Sequence, residues 1–206
     1  MNVHTRRLSV AGPSGAIECA IEPGAADPPR GVAVLCHPHP QHGGTMDNKV
    51  VQTLARAFTQ LGYSAVRFNF RGVGASAGAW DDGVGEIEDA LAVVAACREP
   101  GQALVLGGFS FGGFVASQAA RRLIAEGSAV ERLVLVAPAA SRFDLAPVPA
   151  HTLVIHGEVD DVVPLSAVFD WARPLDLPVT VVPGAGHFFH GQLPLLKSLV
   201  VGACRD

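Results

Sequence analysis

Residues 103–120 read ALVLGGFSFGGFVASQAA, and this stretch decides the fold. The apolar run 103–107 has the length and continuity of a strand buried on both faces. Val115, Ala119 and Leu123 then recur at helical spacing, which predicts a helix over 111–126. Between the two stands Gly108-Phe109-Ser110-Phe111-Gly112, the pattern G-x-S-x-G. Such a turn sets its serine on a sharp corner. A Cβ two residues to either side would strike the adjoining strand or helix, so both places call for glycine. In a chain with 23 glycines the bare pentapeptide carries little weight, and a capping serine in a Gly-rich turn is the plainer alternative. The flanking strand and helix make Ser110 the candidate nucleophile.

Outward from this core, short apolar runs alternate with longer amphipathic ones. The runs 31–36, 65–70, 132–137, 152–155 and 178–182 read as further strands, and 48–61, 84–97, 165–171 and 193–203 as helices. That alternation predicts an α/β fold, a mostly parallel sheet with helices on both faces. An N-terminal hairpin is expected over 5–22, turning at Gly12-Pro13-Ser14-Gly15.

A serine hydroxyl needs a base to take its proton, and the base needs an acid to orient it. In folds with this turn they follow in the order Ser, Asp or Glu, His, each on a loop after a strand. The run 152–155 leads into HGEVDDVVPL, which offers Glu158, Asp160 and Asp161; Asp160 is preferred, with Asp161 as the alternative. After 178–182 comes PGAGHFFHG, where Gly184-Ala185-Gly186 gives His187 a flexible approach. His190 is expected in the first turn of the last helix, which makes His187 the better base.

Acyl transfer also needs backbone N–H groups aimed at a developing oxyanion. Phe111, next to the serine, is one candidate. The loop after 31–36 reads HPHPQHGGTMDNKVV, in which Pro38 and Pro40 have no N–H, leaving His39 and Gln41; His39 is preferred. The same loop holds His37, His39 and His42, so a zinc-dependent hydrolase is a rival reading, although alternation with proline suits chelation poorly. No cofactor or metal is otherwise expected. Asp81, Asp82 and Glu86 read as acids at a helix start.

HPHPQHGGTMDNKVV, RFNFRGVGASAG and GFSFGG, with the Asp and His loops, resemble a group of small bacterial α/β-hydrolases akin to dienelactone hydrolases. The likeness spans roughly residues 31–190. It implies the α/β-hydrolase fold and esterase-like activity on small acyl substrates. The implied triad is Ser110, Asp160 and His187, with His39 and Phe111 as oxyanion donors. Dienelactone hydrolases use cysteine where this chain has Ser110, so their substrate does not carry over. A thioesterase or acyltransferase would use the same three residues. A silent binding protein would often have lost one of them.

Composition sets the outer bounds. The 206 residues, 49% hydrophobic and 17% charged, suit a single domain over 1–206. A net charge of -4 argues against a nucleic-acid partner. No apolar run approaches membrane-span length, and none follows Arg6 and Arg7 before Gly12, so neither a membrane span nor a signal peptide is expected and the cytoplasm is the expected location. The cysteines Cys19, Cys36, Cys97 and Cys204 form no close pair. About fifteen residues separate the runs 132–137 and 152–155, too few for a helical cap, so an open site without a cap domain is expected.

Overall fold

A computed structural model describes residues 5–205. Its strands are β1 (Arg6–Gly12), β2 (Gly15–Glu22), β3 (Gly31–Cys36), β4 (Ser64–Phe68), β5 (Ala103–Phe109), β6 (Arg132–Val136), β7 (Leu153–Gly157) and β8 (Val179–Val182). The helices are α1 (Lys49–Gln60), α2 (Val84–Cys97), α3 (Phe111–Ala125), α4 (Leu165–Ala172) and α5 (Leu193–Ala203). The strands form one sheet in the order β1-β2-β4-β3-β5-β6-β7-β8. The hairpin β1–β2 joins it antiparallel through β4, and the strands from β4 to β8 run parallel.

Strand β3 shows why both faces need helices. All of its residues are buried, and they divide by parity. Val32, Val34 and Cys36 enter one core, with Val93 of α2 and Val115 of α3. Ala33 and Leu35 enter the other, with Leu54 of α1 and Leu196 of α5. A smaller cluster gathers Val154, Val168 and Ala172 beneath α4. Among the described residues, no helix is long and apolar enough to cross a membrane.

The expected elements are present, and their limits shift where hydrogen bonds compete. The expected strand 65–70 stops at Phe68, because the Asn69 N–H turns to the Glu18 carbonyl at 2.9 Å and the Phe70 N–H to His37 Nε2 at 3.0 Å. Strand β5 runs on to Phe109 because β6 pairs with it as far as Val136. Pairing of Gly157 with Val182 likewise carries β7 past Ile155. His190 lies in a turn ahead of α5, not in its first turn; Gly191, at φ 75°, breaks the helical path between them.

This topology fixes where the site must be. From β3 the chain crosses by α1 to β4 on one side, then by α2 to β5 on the other side of β3. The carboxyl ends of β3 and β5 therefore flank the point where strand order reverses, the usual crevice of an open α/β sheet. Cys36 pairs with Gly108 there, setting the His-rich loop beside the serine turn.

Candidate active site

Ser110 holds φ 55° and ψ -118°, a backbone conformation that non-glycine residues rarely adopt. The sheet imposes it. The Ser110 N–H donates to the Val136 carbonyl at 3.0 Å, and its own carbonyl accepts from Gly113 at 2.9 Å and Ala139 at 3.2 Å. The flanking glycines are needed for space. A Cβ on Gly108 would lie 2.0 Å from the Gly112 carbonyl oxygen, and one on Gly112 would lie 2.3 Å from that of Cys36.

The three side chains expected from the sequence meet above this corner. His187 Nε2 lies 3.0 Å from Ser110 Oγ, and His187 Nδ1 lies 2.7 Å from Asp160 Oδ2. The other Asp160 oxygen accepts from the Val162 and Val163 N–H groups at 2.9 and 2.7 Å. Burial resists ionising Asp160, yet its bonds with His187 and the two amides outweigh that and hold its pKa below the usual carboxylate value. An ionised Asp160 keeps the proton of His187 on Nδ1, which leaves Nε2 free to accept from the serine. Asp161 is exposed and stands outside this line.

Two loops must be held together for this contact. The Val159 N–H donates to the Ala185 carbonyl at 3.0 Å, and Glu158 accepts from Gly184 at 2.8 Å. Gly157 permits the approach, since a Cβ there would lie 2.3 Å from the Ala185 oxygen. His156 was not singled out in the sequence. It is fully buried, donates through Nε2 to the Val163 carbonyl at 2.9 Å, and lies 3.5 Å from Asp160 Oδ2. Burial lowers its pKa.

The loop after β3 is shaped by His37, which has no exposed surface. Its Nδ1 donates to the Pro38 carbonyl at 2.6 Å, and its Nε2 accepts the Phe70 N–H. Burial lowers its pKa to about 4, so the ring is neutral. With both nitrogens engaged, His37 has no lone pair left for a metal, and the three-histidine zinc reading loses its first ligand. No group of three or more metal-ligating side chains occurs among the described residues.

His39 packs its ring against Trp80, Phe111 and Phe143, at centroid distances of 4.4, 5.2 and 6.0 Å. Burial lowers its pKa, helped by the nearby charges of His42 and Arg142. The backbone N–H groups of His39 and Phe111 have no acceptor among the described residues, as an oxyanion site requires.

A cavity of about 400 Å³ opens here, lined by Ser110, His187, His39, Arg142, Val162 and Phe188 among others. Phe188 reaches this cavity and is 44% exposed, whereas Phe109, Phe111 and Phe189 belong to the core. Sequence reasoning missed Arg142, Phe143 and Trp80, which have no local pattern to mark them. Arg71 is a structural anchor: its Nε and Nη2 meet both Asp89 oxygens at 3.0 and 2.9 Å. Glu86 accepts from the Asp81 and Gly83 N–H groups at 3.0 and 2.8 Å, an ordinary helix start.

A mostly parallel sheet with a serine turn at its switch point and no cap defines an α/β-hydrolase-fold serine hydrolase, and the comparisons agree. The chain belongs to the family described as serine aminopeptidase, S33, which matches residues 27–151. A crystal structure from Xanthomonas campestris, described as an α/β serine hydrolase without lid, is 40% identical with a TM-score of 0.88, covering 100% of this chain and 95% of that one. An α/β serine hydrolase homologue from Coxiella burnetii is 39% identical with a TM-score of 0.82, covering 97% of each chain. An uncharacterised protein of Rickettsia prowazekii is 32% identical over 194 residues, 86% of this chain and 79% of its own length.

Proposed function

We propose that the protein is a carboxylesterase-like enzyme that cleaves small acyl esters through an acyl-enzyme on Ser110. The observation that carries this is the unbroken line from Asp160 through His187 to Ser110, at 2.7 and 3.0 Å. His187 takes the Ser110 proton as Oγ attacks the ester carbonyl. The N–H groups of Phe111 and His39 receive the oxyanion, each such donor being worth about 10²–10³ in rate. His187 then passes its proton to the leaving alcohol, and water releases the acid by the same route. Asp160 holds the imidazole in its reactive tautomer.

The test is labelling with a fluorophosphonate probe, mapped by mass spectrometry, beside hydrolysis of an activated ester. Label on Ser110 and loss of turnover in Ser110→Ala support the reading. Label elsewhere, or near-normal turnover in that variant, overturns it. A thioesterase or acyltransferase would share every step up to the acyl-enzyme; competition by added acyl acceptors separates them.

A further inference from the structure

The cavity beside Ser110 carries one formally charged lining residue among those described, Arg142. Beyond the reacting groups, its polar lining comes from His39, His42, Asn48 and Arg142, and no aspartate or glutamate is among its lining residues. Asp160 stands behind His187 with its side chain wholly buried, and its oxygens are occupied. Elsewhere Arg67 meets Glu22, Arg71 meets Asp89 and Arg122 meets Glu88, while Arg56, Arg98 and Arg121 bond to glutamine side chains or a backbone carbonyl. The Arg142 guanidinium has no hydrogen bond or ion pair among the described residues.

The backbone that carries this arginine is also held in place. It comes from the segment after β6, the one too short to form a cap. The Arg142 and Phe143 N–H groups both donate to the Ala139 carbonyl at 3.1 Å. Phe143 then anchors the turn by packing on Phe111 and Phe114, at 5.1 and 4.9 Å between centroids. The Ala139 N–H in turn donates to Ser110 itself. A short chain of contacts thus ties the backbone of Arg142 to the serine corner, while its side chain is exposed at the cavity.

We infer that the site takes acyl esters bearing a second, anionic group, a carboxylate, which Arg142 receives, and disfavours substrates that present an ammonium there, free peptide amino termini included. A guanidinium matches a carboxylate with two parallel hydrogen bonds. An ammonium in the same place would meet a like charge and find no acid partner. The matching family is named for serine aminopeptidases, and the residues lining this cavity include no carboxylate that would receive a substrate's amino group. The inference rests on the esterase reading of Ser110, Asp160 and His187.

The experiment compares three 4-nitrophenyl esters of matched length: the adipate monoester, a neutral alkanoate and the 6-aminohexanoate. The readout is the ratio of kcat/KM for the anionic over the neutral ester. Wild type is expected to favour the anionic ester by roughly twofold to fivefold, the effect of one ion pair near the surface. Arg142→Ala abolishes the preference, Arg142→Glu reverses it toward the ammonium ester, and Arg121→Glu, an equal charge change on α3, leaves the ratio near that of wild type. A wild-type ratio near one, or one unmoved by Arg142→Glu, overturns the inference. Titrating hexanoate and hexylammonium into the Ser110→Ala protein by calorimetry reads the same charge preference without turnover. Loss of all ester hydrolysis sinks the esterase reading, whereas equal binding of the two ions sinks this one.

Discussion

The ring of His37 bridges two strand ends, accepting the Phe70 N–H at 3.0 Å on Nε2 while its Nδ1 donates to Pro38. Only the neutral ring can do both, because a protonated ring has no acceptor left for Phe70. The bridge sets the shape of the loop that carries His39, and it makes that loop sensitive to acid.

Stability should therefore fall as pH drops. The folded-state pKa of His37 is about 4, below its ordinary 6.5. The unfolded chain binds the proton first, so the neutral ring's contribution is complete above about 6.5 and is lost as pH falls toward 4. The shift corresponds to about 3 kcal/mol over that window. Urea denaturation of wild type and His37→Gln from neutral pH to pH 4 checks it. The variant, less stable at neutral pH, should show a visibly flatter slope; parallel slopes would contradict the assignment.

The two neighbouring aspartates should behave very differently. Asp160→Asn removes the acceptor that keeps the His187 proton on Nδ1, and turnover of an activated ester should drop by about 10⁴-fold with the fold intact. Asp161 is exposed and outside the hydrogen-bonded line, so Asp161→Asn should stay within about twofold of wild type. Steady-state kinetics decide between them, and equal losses would show that the acid has been misassigned.

Glycines in this chain should divide by the space around them. In Gly112→Ala the new Cβ would lie 2.3 Å from the Cys36 oxygen, forcing the serine corner from the β3 loop. We expect about 1–3 kcal/mol of destabilisation and a loss of turnover on the order of 10²-fold. Gly202, inside α5, meets nothing within 4 Å, and Gly202→Ala should stabilise by roughly 0.5–1 kcal/mol without touching activity. Paired thermal melts and rates test both, and a harmless Gly112→Ala would remove the close approach from the account of the site.

Asp89→Ala should be the costliest of these changes. It leaves the Arg71 guanidinium, 9% exposed, without the carboxylate that meets it on two nitrogens. Breaking a buried pair from one side costs about 3–5 kcal/mol. Chemical denaturation measures it, and a loss under about 1 kcal/mol would mean that water reaches the arginine freely.

Local patterns in the chain were enough to set the fold class and the three residues of the hydrogen-bonded line. Strand runs, helix periodicity and the glycines around Ser110 are short-range signals, and the order of Asp160 and His187 follows from where strands end. Asp160 is preferred over Asp161 from the chain alone, but the reason it is the one engaged is tertiary: the Val162 and Val163 amides turn its carboxylate inward. The neutral state of His37, the aromatic bed under His39 and the Arg142 guanidinium at the cavity, without an acidic partner among the described residues, were not legible in advance. Each depends on which distant side chains surround a group once the sheet has closed, and such surroundings leave no trace in local sequence.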